Sequence, residues 1–405
     1  MNFPLFIAKR IIFKGQRTFS KLIVRVTIGA LALAVIAILL SVAILRGFKD
    51  EITDKQRGFF SDIIITKQDL NQAENAPISL SAAKIEEIRG IPNVVSISPF
   101  ATKVGIMNVN REVEGVMLKG VESTYDQSFL AKTLVRGDTL DFKEETADSQ
   151  LLISSYLSER LHLELNDSFV MSFVQDNRTR KRKFVVKGIF RTNSEELDNN
   201  YVIGSLELIR RLNNLGDTEA GAYEIRIKDF EQLQQTTDEV DDVLPLEMKS
   251  TNVVEHLADI FNWLKMLDMN DDIIFVLMVI VAVINMISSL LITILERTFL
   301  IGMLKAMGMV NREIRKIFLL NSLYLIGYGL MIGNALALFI YFLQNQTHFF
   351  KLDPAIYYIE YVPMFIDFGT VLLLNFSIVL IALLTLFIPS MLISRISPIK
   401  TIQFK

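Results

Sequence analysis

Apolar residues gather into four runs, 26–45, 273–295, 317–342 and 368–393, and none of them contains an Asp, Glu, Lys or Arg. Each has about the 20 residues that a helix needs to cross a hydrocarbon core, so all four are predicted to span a membrane. The first holds twelve Leu, Ile and Val. At about 0.3–0.6 kcal/mol of insertion free energy apiece, that run inserts with several kcal/mol to spare.

Between the first two runs the periodicity changes. Residues 223–228 alternate apolar and charged positions, and 94–100, 168–174 and 183–190 are rich in β-branched and aromatic residues, so all four read as strands. Ser81 is placed to cap a helix with Ala82, Ile85 and Ile88 on one face, ended by Gly90. Asp229 and Gln232 form a capping-box pattern ahead of Leu233 and Val240. The flanks look like continuations of the spans. Residues 47–60 lack proline, and 252–272 carry Val253, Leu257, Ile260, Leu264 and Leu267 at helical spacing. The predicted fold is a membrane protein with four transmembrane α-helices and a large α+β extracytoplasmic domain, residues 46–272, inserted between helices 1 and 2 on a helical stalk.

Charge orients this arrangement. Residues 1–25, 296–316 and 394–405 hold fourteen Lys and Arg against two Glu, whereas 46–272 and 343–367 together hold 28 Lys and Arg against 43 Asp and Glu. The basic pieces are therefore expected in the cytoplasm, with both termini inside. The near-neutral total of −3 hides the split. A cleaved signal peptide is the competing reading of the N-terminus, because Ser41-Val42-Ala43 loosely resembles a processing site. The long basic leader and long apolar run favour an uncleaved anchor. With no cysteine, the outward domain must fold on its own core.

Little of the chain suggests catalysis. There is no GxxxxGK[ST] phosphate loop, and His162, His256 and His348 are dispersed without a metal-ligand spacing. No cofactor is expected. The basic run 178–183 reads either as a docking patch for an acidic partner or as a solvated hairpin tip. Ala30 and Ala34, and Gly329 and Gly333, are spaced for close helix contact, while Asn285, Ser288, Ser289, Asn321 and Asn334 place polar groups inside spans. The link between the second and third spans stands out. Phe299, Leu300, Met303, Leu304 and Met307 form one apolar face of a short helix, with Gly308 as its stop and Asn311 as the cap of the next. Such a helix either rests in the headgroups or docks on a partner.

Residues 6–52 (FIAKRIIFKG to LRGFKDEI), 186–212 (VKGIFRTNSEELDNNYVIGSLELIRRL) and 357–368 (YYIEYVPMFIDF) resemble permeases of the LolC/LolE lipoprotein-releasing type. Residues 296–318 (ERTFLIGMLKAMGMVNREIRKIF) resemble the coupling helix of the broader MacB/FtsX-like superfamily, and 394–403 (SRISPIKTIQ) its tail. The resemblance implies a bacterial inner-membrane permease that pairs with a second permease, as a homo- or heterodimer, and with cytoplasmic ATPase subunits. Its substrate would be a lipoprotein, passed from the outer leaflet to a periplasmic carrier protein. It further implies that Phe299, Leu300, Met303, Leu304 and Met307 fill an ATPase groove, with Glu296, Arg297, Lys305 and Arg312 at its polar rim. Gly29, Leu33, Ile36, Leu40, Ile284 and Met286 would line the cavity for the acyl chains. One departure is plain: the hairpin at 174–184 is short, basic and free of proline, where the carrier-recruiting subunit has a long hook. A MacB-like exporter of amphiphilic molecules and an FtsX-like transmembrane signal transmitter are the rival readings.

Overall fold

The first three apolar runs become parts of longer helices, because nothing in their polar flanks breaks them, while the fourth begins at its Asp367 cap and passes into a 3-10 turn after Ser390. The computed structural model describes residues 18–68, 76–143, 146–175, 178–353, 357 and 359–396. In it the apolar helices long enough to span are Val24–Phe60, Ala258–Glu296, Asn311–Thr347 and Phe368–Ser394. The basic stretch 1–17 and the tail from 397 lie outside the described residues. The first helix continues to Phe60 as its proline-free sequence predicts, whereas the approach to the second is interrupted at Leu257, between a short helix Val253–His256 and Ala258.

The chain divides into two units, one of residues 1–49, 264–351 and 361–405, the other of residues 50–263 and 352–360. In the first unit the four apolar helices share one core. Leu31, Val35, Ile38, Leu290, Ile326 and Leu386 are all buried in it. The glycine pair of the third helix lets the first helix approach closely. A Cβ on Gly329 would sit 2.6 Å from the Leu31 side chain, and one on Gly333 would sit 2.8 Å from Val35 and 2.9 Å from the Ala32 carbonyl. Gly333→Leu is therefore expected to cost about 1–3 kcal/mol by overpacking, read as a lower melting temperature in detergent. Gly327, whose Cβ would meet nothing within 4 Å, is the control.

One pair of polar residues inside the spans bonds between helices. Asn334 and Asn375 exchange amide hydrogen bonds of 2.8 and 3.0 Å between the third and fourth helices. At the end of the third helix, buried Gln344 donates to the Phe350 and Val362 carbonyls and accepts from the Phe350 amide, which pins the following loop. His348 closes that helix in a left-handed conformation, φ 48°, and stacks on Tyr361.

The second unit is built on ten strands: β1 Ile63–Lys67, β2 Val94–Val109, β3 Glu112–Val121, β4 Leu134–Gly137, β5 Gln150–Ser154, β6 Ser168–Gln175, β7 Arg178–Phe190, β8 Tyr201–Ser205, β9 Ala222–Ile227 and β10 Met248–Asn252. Two substructures share β2. Strands in the order β10-β1-β9-β2, with helices Ala82–Arg89 and Leu233–Val243 as crossovers, form a ferredoxin-like split βαβ layer. The rest is inserted between β2 and β9. There β2, β3, β8, β5, β7 and β6 pair in sequence, and β6 returns to β2, so the pairings close a six-stranded ring. Met107, Leu118, Ile153, Met171, Phe184 and Val202, one from each strand, are fully buried in one core. Gly105 permits the closure: a Cβ there would fall 2.6 Å from the Met171 sulfur.

Of the three predicted helix N-caps, one is met as expected and two differ. Ser81 caps its helix by accepting from the Lys84 amide. The Asp229 backbone N–H, however, is taken by the Asn93 side chain, so Gln232 bonds the Asp229 carboxylate and a 3-10 turn precedes the helix instead of a capping box. The other exception is Asn311, which is the first residue of its helix; Val310 is the cap.

Candidate functional site

The connector between the second and third long helices is a nine-residue helix, Thr298–Ala306. It ends in a Schellman motif: Gly308, at φ 86°, donates to the Lys305 carbonyl and Met309 to the Leu304 carbonyl, each at 3.0 Å. Only glycine takes that backbone without strain, so Gly308 acts as the predicted stop.

The helix is amphipathic in a different sense from the one its sequence suggests. Ile301 and Leu304 are buried in the core of the membrane unit, and Leu300 packs against it. Leu304 therefore does not belong to an outward face, and Leu300 only partly does. Phe299, Met303, Met307 and Val310 are 53, 40, 67 and 62% exposed. Phe299, Met303 and Met307, four apart, form an apolar row along the helix, and Val310 is exposed just beyond its turn. Arg312 is exposed beside them, while Glu296 and Arg297 are half-buried.

Lys305 is also displaced from its expected place on a polar rim. Its ammonium donates to the carbonyls of Ile393, Ser394 and Ile396, at 2.7, 3.3 and 2.8 Å. These are carbonyls at the end of the fourth helix, where a cation is favoured. Burial, together with Arg315, lowers its pKa from the ordinary lysine value. Lys305→Met is expected to free the connector from the chain end. Amide hydrogen exchange at 391–396 should accelerate about tenfold, the equivalent of 1–1.5 kcal/mol for hydrogen bonds of this kind.

The residues expected to wall an acyl cavity separate into two groups. Gly29, Leu33 and Ile284 face away from the unit's own core, with Leu33 at 69% and Ile284 at 57% exposure, and Ile36 and Leu40 are half-buried. Met286 instead is buried. It lines a void of about 10 Å³ with Leu31, Ala34, Val35, Ile38, Ile378 and Ala382, which is room for one water at most.

Comparison with known proteins adds the family. The profile of the MacB-like periplasmic core domain matches residues 26–243, and that of the FtsX-like permease C-terminal region matches residues 273–398. The chain belongs to the MacB/FtsX family of permeases. Among curated relatives, this permease is 20% identical to the lipoprotein-releasing system transmembrane protein LolC of Neisseria meningitidis, over 97% of its own length and 96% of the relative's. It is 23% identical to LolC of Buchnera aphidicola, over 92% of its own length and 91% of the relative's. The crystallised periplasmic region of MacB from Actinobacillus actinomycetemcomitans aligns with 51% of the permease and 95% of that structure, at 14% identity and a TM-score of 0.35.

The permease also contains a polar cluster that sequence reasoning missed. Where the first long helix ends in the second unit, its last carbonyls point to cations. Arg226 donates to the carbonyls of Arg57 and Gly58, and Lys119 to that of Phe59 at 2.7 Å. Lys119 also pairs with Glu224 at 2.8 Å, with both side chains under 5% exposed, and its ammonium lies 5.0–5.2 Å from the rings of Phe59, Phe100 and Tyr125. Burial lowers the Lys119 pKa, and Glu224 opposes that shift. Asp62, fully buried, binds Arg57 and accepts from the Ile227 amide. Two strands distant in sequence, β3 and β9, thus hold one helix end. The clue was the placement of Lys119 and Glu224 in otherwise apolar strand stretches.

Proposed function

We propose that this permease is a subunit of an ATP-driven transporter that releases lipoproteins from the outer leaflet of the inner membrane. The observation that carries the reading is the exposed row Phe299, Met303, Met307 and Val310 on a connector otherwise built into the membrane core. A row of that kind left open to water is costly, and burial against a partner subunit removes the cost. The positive charge of 296–316 supports a cytoplasmic row, within reach of a separate ATPase, with both termini on the same side. The ATPase stroke enters at the connector, passes to the fourth helix through Lys305, and leaves the bilayer along the first helix, which runs unbroken to Phe60.

The substrate assignment rests on relatives named for lipoprotein release that align along nearly the whole chain. Gly29, Leu33, Ile36, Leu40 and Ile284 remain the proposed wall for acyl chains, their outward face completed by a second permease; Met286 leaves that set. The short hairpin gives no support to a hook for a carrier. Its basic residues lie on strand β7, where Lys181 and Lys183 sit opposite Ser172 and Val170, and contact with a carrier through this strand is part of the proposal. Depletion of the protein is expected to strand lipoproteins in the inner membrane. Normal lipoprotein sorting in depleted cells, with loss of some other exported amphiphile, replaces this reading with the exporter one.

A further inference from the structure

The second unit contains a cavity of about 240 Å³ next to the Lys119 cluster. Phe60, Phe100, Met117 and Tyr201 supply much of its wall, and Phe60 meets Tyr201 and His256 edge-on, with centroids 5.9 and 5.8 Å apart.

The charges around it narrow the ligand. Lys119 lines the cavity, but its ammonium is already held by Glu224 and by the Phe59 carbonyl. His256, desolvated beside Phe60, has its pKa pushed below the ordinary histidine value and is neutral at pH 7. The other polar side chains of the lining, the hydroxyls of Thr66, Thr102 and Tyr201, are neutral. An anionic or cationic ligand finds no free counter-charge here and would be desolvated without return. A neutral hydrocarbon gains about 0.8 kcal/mol per methylene it buries. At about 30 Å³ for a water-sized group, the volume holds roughly eight of them. Edge-on rings make the wall corrugated, and an unbranched chain adapts to corrugation by rotating its bonds, which a rigid ring system does not.

We propose that this cavity takes the end of one acyl chain of the substrate, bound against Phe60 and Tyr201. The proposal rests on the lipoprotein reading and deepens it. Two walls have further meaning. Phe60 is the last residue of the first long helix, and His256 is the last of the short helix before the break at Leu257. An occupying chain therefore touches the last residue of each of these two helices.

The test places benzoyl-phenylalanine at Phe60 and, separately, at Tyr201 in the full chain, reconstituted with its ATPase in lipid discs. The probe is a biotinylated triacylated cysteinyl peptide. Photocapture at both positions is expected to exceed that at Leu246, 96% exposed, by about fivefold, and to fall to the Leu246 level for the same peptide without acyl chains. Capture no greater than at Leu246 overturns the proposal. Equal capture of the unacylated peptide also overturns it, by assigning the cavity to a polypeptide side chain. Lipoproteins stranded on depletion, with no capture at either position, sink the cavity alone; correct sorting on depletion sinks the parent reading.

Discussion

Lys119→Met is expected to destabilise the second unit by about 3–5 kcal/mol, because it leaves the Glu224 carboxylate buried without its cation. The Phe59 carbonyl loses its donor in the same step. For a domain of this size that is a fall in melting temperature of roughly 6–20 °C, read by thermal unfolding of the purified chain. Glu224→Gln introduced on top of Lys119→Met should recover much of the loss, since the penalty comes from the orphaned charge more than from the missing attraction. A single variant that melts like the parent contradicts the buried pair, and a double variant that is worse than the single contradicts the charge argument. The expected effect on transport is larger than the effect on folding at low temperature. With Lys119 gone, the first helix keeps its apolar contacts but loses one of the two cations that hold its terminal carbonyls.

The second large effect is expected at the connector. Met303→Arg places a charge in the middle of the exposed apolar row and should weaken association with the ATPase by at least about 100-fold, as for loss of a central contact residue. Membrane insertion and melting temperature should stay near those of the parent, because Met303 points away from the core. Leu304→Arg, one residue on, is the contrast. Leu304 is 2% exposed in the membrane core, so that variant should fail to fold before binding is at issue. Co-purification of undiminished ATPase with the Met303 variant would remove the coupling role from this helix. A Leu304 variant that folds normally would show that the helix is turned differently.

How far the site could be read in advance differs residue by residue. The amphipathic row from Phe299 to Met307 was visible as a period, but a run in which nearly every residue is apolar does not say which stripe is outward. Ile301 escaped notice because Leu300 and Leu304 also fitted a helical face. Lys305 looked like a rim charge, since a lysine near the end of an exposed helix is usually solvated. Its real partners are carbonyls about ninety residues further on, at Ile393, Ser394 and Ile396. Gly29, Leu33, Ile284 and Met286 illustrate the same ambiguity in a span: apolar residues surround the whole helix, so the pattern has no polar side to mark the surface.

Hydropathy was enough to place the four helices, and alternation with β-branched and aromatic content located four of the strands, because insertion free energy and side-chain periodicity are local and additive along the chain. Gly308 and Ser81 were readable for the same reason, since each acts on a neighbour within a few positions. The closing of β6 onto β2, the buried Lys119 and Glu224 pair, the Asn334 and Asn375 exchange, and the cavity beside Phe60 were decided only when distant segments packed. Those features depend on which surfaces meet, and no local period records the identity of a neighbour a hundred residues away.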